Sequence, residues 1–222
     1  PGGTWAQAVM RESNHYVSKD KLDAATAAAV AASDAADGVT DGVIDDPIRC
    51  AWDPAALVGS KVGEEIFTAA DAEVLRQIWD GARSRDGKRL WYGYPRGTNL
   101  SAVAGTEGTP LTGKPFTIAW DWIKFFLAQS PHYDGSLFTR DEFELFFNQS
   151  AELYGPVFSA DNPDLTRFRD RGGKLLITHG LADQLIPPQS TIEYYEKVQH
   201  HMGGEAQTAK FAAANPVSPC RA

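Results

Sequence analysis

Cysteine is nearly absent. Cys50 and Cys220 are the two in 222 residues, too few for a disulfide framework, which leaves one long-range bridge between them as an option. Histidine and cysteine nowhere recur at transition-metal spacing. No apolar run approaches the roughly 20 residues that cross a bilayer. Basic residues are outnumbered, giving a net charge of −8, so the basic patches that backbone phosphates require are missing and a nucleic-acid partner is not expected. The glycines match neither GxGxxG nor a P-loop, and GxSxG does not occur. The opening PGGTWAQAV lacks the basic start and apolar run of a signal peptide and has no initial Met, which reads as a processed or excised piece.

What is present is a chain of 43% hydrophobic and 23% charged residues, the composition of a folded soluble protein. Lys174–Gln199 orders it most clearly. Leu175–Ile177 is an apolar, partly β-branched run that fits a buried strand. A turn follows at His179–Asp183. Beyond Pro187 and Pro188, residues Ile192, Tyr195, Val198 and Met202 recur at helical spacing. In an α/β architecture, an acidic residue after such a strand stands where sites are usually built. Asp183 is therefore a candidate functional residue, with an Asx-turn or capping aspartate as the alternative.

The segment SDAADGVTDGVIDD carries Asp34, Asp37, Asp41, Asp45 and Asp46 with no basic residue among them. Crowded carboxylates are unfavourable unless water or a cation screens them. Gly38 and Gly42 allow sharp turns that can aim carbonyls inward, so a hard, oxygen-seeking cation such as calcium and a solvated turn both fit. The EF-hand pattern is not met.

Elsewhere, Pro1–Tyr16 reads as polar and irregular, with Trp5, Val9 and Met10 as docking groups. Lys21–Ala35 reads as an alanine-rich helix presenting Leu22, Ala25, Ala29 and Val30. Thr68 with Asp71 resembles a capping box ahead of a helix over 72–82. Residues 83–117 are loop-dominated; Trp91, Tyr92 and Tyr94 could offer flat faces to a ligand and Arg96 a carboxylate-binding fork, or the aromatics could form a satellite core. Residues 116–129, with Trp120, Trp122, Phe125 and Phe126, predict a helix against a core, and Phe138, Phe143, Phe146 and Phe147 continue the aromatic density. A boundary is placed near Asp161.

GVTDGVIDDPIRCAWDPAAL at 38–57 and NPDLTRFRDRGGKLLITHGLADQLIPPQSTIEYYEKV at 162–198 resemble the tannase and feruloyl esterase family. These are α/β-hydrolase serine esterases, including mono(2-hydroxyethyl) terephthalate hydrolase-like enzymes. The likeness covers about 8–208. It implies an α/β fold, with a partial α/β-hydrolase core and a large mixed, aromatic-rich lid domain: residues 1–160 the lid, 161–210 the C-terminal part of the core, and 211–222 an atypical tail. It further implies that Asp183 orients a catalytic histidine. A structural Ca2+ would be held by Asp34, Asp37 and Asp41 with carbonyls of Val39 and Val43. An aromatic gallate-, ferulate- or hydroxycinnamate-type ester would be the substrate, with Trp91, Tyr92, Tyr94, Arg96 and Trp120 as contacts.

Two departures qualify the expectation. Neither the nucleophile elbow nor the histidine near a cysteine occurs in this chain, which therefore reads as a lid-plus-core fragment, inactive alone and completed by an N-terminal companion segment. Ser33 stands where relatives have a cysteine paired with the one matching Cys50. His179 reads as structural, and His15, His132, His200 and His201 have no nucleophile partner. The resemblance implies a secreted or periplasmic protein, and the charge and lack of a long apolar run imply neither nucleic-acid nor membrane partners. The alternative is a noncatalytic calcium-binding or interaction module.

Overall fold

Alanine, aliphatic and aromatic side chains together build the core of the first two thirds of the chain. In a computed structural model describing residues 2–135 and 138–217, apart from the side chains of Asp37, Pro216 and Val217, this region is helical with long loops. Helix α1 (Trp5–Glu12) is buried from Trp5 to Met10. The irregular start expected for Pro1–Tyr16 is thus largely a core helix. Its polar Gln7 is accommodated because the side-chain amide donates to the carbonyls of Gly105 at 3.0 Å and Lys114 at 3.1 Å.

Helix α2 (Lys19–Ser33) buries Leu22, Ala25 and Ala29 and runs directly into a 3₁₀ turn, Asp34–Asp37. Hairpin strands β1 (Lys61–Val62) and β2 (Glu65–Ile66) precede α3 (Ala69–Asp80), which starts three residues before the expected 72–82 because Thr68 and Asp71 cap each other reciprocally and Thr68 is its N-cap. Strands β3 (Thr106–Glu107) and β4 (Thr112–Gly113) form a second hairpin. The helix expected over 116–129 divides into α4 (Thr117–Trp122) and a π-helical turn at Ile123–Leu127. That turn buries Ile123 and Leu127 while Phe125 and Phe126 remain exposed.

Helix α5 (Arg140–Phe158) starts at a second capping box, Thr139 with Glu142. Its Phe143 and Phe146 enter a core shared with Trp5, Phe67, Leu75, Ile78 and Phe138. The aromatic density at Phe138–Phe147 was legible in the sequence, whereas the helix carrying it was not singled out.

The last third makes a different unit. Helix α6 (Thr166–Asp170) leads to β5 (Leu175–Gly180), α7 (Gln189–His201), α8 (Glu205–Thr208) and β6 (Ala212–Val217). Strand β5 pairs in parallel with β6, Leu175 opposite Ala212 and Ile177 opposite Ala214. The crossover through α7 makes this a βαβ unit, closed by Val198, Met202, Phe211 and Ala212. Within the expected tail from 211 onward, Phe211 and Ala212 are buried and residues 212–217 form a strand. Ala-Ala-Ala-Asn-Pro has little β propensity of its own, so the strand owes its formation to the edge that β5 offers. Cys220 lies outside the described residues.

Candidate active site

Asp183 sits just past the C-terminal end of β5, in a turn closed by its own backbone N–H to the Gly180 carbonyl at 3.2 Å. Its carboxylate Oδ1 accepts the backbone N–H of Leu185 at 2.8 Å and of Ile186 at 2.9 Å. One oxygen thus makes the Asx-type turn that was the alternative reading of this residue. Because it is occupied, the carboxylate is held in one orientation, and Oδ2 is directed elsewhere.

His179, at the end of β5, is the nearest imidazole on the same element, with Nε2 3.6 Å from Asp183 Oδ2. A closer partner decides its role. Nε2 lies 2.9 Å from the Ile186 carbonyl, which can only accept, so this nitrogen carries the proton. Nδ1 then takes the Thr191 hydroxyl at 2.6 Å. With both ring nitrogens engaged, His179 ties the Asp183 loop to the start of α7. Tyr94, buried in the first core, has its phenol pushed up to about 12 by burial and by the charge of Asp183.

Beside this loop is a cleft of about 390 Å³ between α5 and residues 185–187, lined by Trp91, Trp122, Phe147, Ser150, Tyr154 and Phe158 among others. Among the described residues, no charged side chain lines it. Its size and aromatic walls suit a planar apolar group.

The other expected contacts are dispersed. Tyr92 donates to Glu193 on α7 at 2.5 Å and lies under Arg89. Burial and that carboxylate raise the phenol to about 12, while Tyr92 and then Lys197 hold Glu193 down at about 2. Arg96 stacks on Trp79 and donates to the Trp52 carbonyl at 3.4 Å; burial lowers its pKa despite Asp80, Cys50 and Asp53 nearby. Trp120 packs on Tyr133 and Phe138 and borders a separate cavity with Gln7 and Tyr16. Of the five, only Trp91 lines the aromatic cleft. Sequence reading did not single out Ser150, Tyr154 or the Leu185–Pro187 wall, although the apolar Leu-Ile-Pro-Pro after Asp183 was a usable signal.

In the acidic loop, Asp34 Oδ1 accepts the backbone N–H groups of Asp41 and Gly42 at 3.0 Å and of Val43 at 3.3 Å. Asp41 Oδ1 accepts from Val43 at 3.2 Å. Gly38 and Gly42 take positive φ, as the turns demand. Carboxylate and carbonyl donors suit calcium in chemistry, but Asp34 and Asp41 here organise backbone amides. The Asp37 side chain lies outside the described residues, and Val39 is exposed. Among the described residues, no group of three or more acidic, His or Cys side chains is gathered to hold an ion. The Ser33 hydroxyl lies 2.9 Å from the free thiol of Cys50.

The chain is 37% identical over 214 residues to a probable feruloyl esterase of Arthroderma benhamiae, covering 93% of this chain and 40% of that protein. It is 28% identical to feruloyl esterase B of Aspergillus niger, covering 69% of this chain and 28% of the relative. Tannin acyl hydrolase from Aspergillus niger superposes with a TM-score of 0.87 at 21% identity over 97% of this chain and 43% of that one. Feruloyl esterase B from Aspergillus oryzae gives 0.78 at 22%, again over 97% and 43%. The fold is therefore α/β and of the kind found in these esterases, with this chain spanning about two fifths of their length. A family model described as tannase and feruloyl esterase matches residues 2–214, and the chain belongs to that family of hydrolases.

Proposed function

We propose that this chain supplies the lid and the acidic triad member of an esterase that cleaves aromatic carboxylic esters of gallate, ferulate or hydroxycinnamate type. The observation that carries the reading is the fixed Asp183 carboxylate beside an aromatic cleft that, among the described residues, has no charged side chain. In triad chemistry a buried or fixed carboxylate accepts an imidazole N–H, sets the tautomer and stabilises the imidazolium formed as the serine is deprotonated. Asp183 offers Oδ2 for that bond. The serine, the histidine and the backbone donors for the oxyanion come from sequence outside these 222 residues, including an N-terminal companion segment.

The same proposal assigns a structural calcium ion to the acidic loop, supported by its oxygen donors and by the repulsion of its carboxylates. Bound there, the ion would neutralise Asp34, Asp37 and Asp41. Titration calorimetry on the folded chain yielding no heat with calcium would remove this part. Export from the cell, to the medium or periplasm, also belongs to the proposal and is tested by fractionating cells that express the gene. The esterase reading is tested with protein that includes the flanking coding sequence. It should hydrolyse methyl ferulate or methyl gallate, while the 222-residue chain alone turns over neither; an inactive longer protein that is folded would contradict the reading.

A further inference from the structure

The cleft beside Asp183 has aromatic walls and three hydroxyl side chains that are not equivalent, Ser150, Tyr154 and Ser159, the last exposed past the end of α5. Tyr154 donates its proton to the Phe126 carbonyl at 2.8 Å, so that hydroxyl is spent. Ser150, on the same face of α5, has Oγ 3.0 Å from Trp122 Nε1. An indole N–H can only donate, so Ser150 is the acceptor there and still owns a proton. Helical hydroxyls often return that proton to the carbonyl four residues back, as Thr26 and Thr208 do here. Ser150 makes no such bond among the described residues. Its proton is therefore left for whatever enters the cleft, and the indole fixes the oxygen that carries it.

The wall opposite, Leu185–Pro187, follows Asp183 directly. An ester lying along the cleft with its reactive end toward Asp183 presents its ring to the aromatic side, where Ser150 stands. Among the described residues no charged side chain lines the cleft, which sets a second condition: they offer no counter-ion to a carboxylate on the ring, which would be desolvated there.

We propose that Ser150 is a specificity-determining hydroxyl, held by Trp122, that donates to a neutral oxygen substituent on the substrate ring. The cleft thereby selects hydroxy- or methoxy-bearing rings over bare ones and over rings carrying a carboxylate. This rests on the esterase reading above and names which of its aromatic esters fit.

The test is binding to the chain itself, followed by calorimetry and tryptophan fluorescence, with methyl ferulate, methyl cinnamate and monomethyl terephthalate as probes. Methyl ferulate should bind most tightly. Ser150→Ala should weaken methyl ferulate about fivefold to tenfold, the scale of one lost hydrogen bond, and change methyl cinnamate by less than about twofold. Ser150→Thr, which keeps the hydroxyl, should restore the preference. A Ser150→Ala effect that is equal for both neutral esters, no effect on either, tight binding of monomethyl terephthalate, or no binding of any probe would overturn the inference. The esterase reading fails separately, by absence of hydrolysis in the longer protein, whichever affinities are found here.

Discussion

The helical region and the βαβ unit solve the burial problem in opposite ways. Helices α1, α3 and α5 converge on one another, so that Val9, Met10, Leu75, Ile78 and Phe143 are all fully enclosed. In the βαβ unit, four residues, Val198, Met202, Phe211 and Ala212, make the buried cluster, and Leu176 on β5 is 68% exposed. Strands of parallel sheets are ordinarily covered on both faces. The first region is therefore stabilised by its own packing, whereas the second, which carries Asp183, leaves Leu176 and Thr178 of β5 exposed beyond its own small core. Precision at Asp183 comes instead from local bonds: two amides on one carboxylate oxygen and His179 tied to Ile186 and Thr191.

This contrast can be sharpened by substitution, the largest effect first. Asp71 is fully buried in the helical region and accepts from His15 at 2.8 Å, Lys21 at 2.9 Å and the Thr68 backbone N–H at 2.7 Å. Asp71→Asn leaves Lys21 without its buried partner and should cost about 3 kcal/mol in denaturant unfolding. Burial pushes the Asp71 carboxyl up, but Thr68, Lys21 and His15 together outweigh it and hold it below the usual value. Its folded pKa is thus below the unfolded one. The associated stability is present above about pH 4, the unfolded value, and is lost as pH falls through the folded value. Acid titration of Asp71→Asn should accordingly be flatter than that of the parent; parallel curves would contradict the assignment.

Ser33→Cys tests the acidic loop of the helical region. With Ser33 Oγ already 2.9 Å from Cys50 Sγ, the variant should form a local disulfide under oxidation, detected by loss of thiol titre. Closing so short a loop should raise stability by about 3 kcal/mol, an effect abolished by reductant. Free thiols after oxidation would contradict the placement of the acidic loop.

The smallest effect is expected where the two regions meet. Tyr92→Phe removes the bond to Glu193, which is partly exposed, and should cost less than about 1 kcal/mol. Glu193, held near 2 by Tyr92 and then Lys197, contributes stability above its unfolded pKa of about 4.3 that fades as pH falls toward 2. The variant should lose part of that acid dependence, read by thermal melts from neutral to acid pH.

Legibility in the sequence followed locality. The α3 capping box, the β5–loop–α7 order and the alanine face of α2 depend on residues within a few positions of one another, and their signals sit on the page. Helix α1 was hidden because its burial depends on distant carbonyls at Gly105 and Lys114 that satisfy Gln7. Strand β6 was hidden because its alanines pair only when β5 is alongside. The candidate site divides in the same way: the place of Asp183 after a strand was visible, while the proposed role of Ser150 arises only when Trp122, 28 residues earlier, donates to it. Tyr92 and Trp120, which look like equal ring contacts in the sequence, are separated in space by what they pack against.

The most direct measurement is Asp183→Asn in protein extended through its flanking coding sequence, with kcat and KM determined on methyl ferulate. If Asp183 orients the catalytic imidazole, kcat falls by about 10⁴ because the amide favours the wrong tautomer, and KM changes little. A variant retaining kcat within about twofold of the parent would contradict the account, leaving Asp183 as the Asx-turn residue alone.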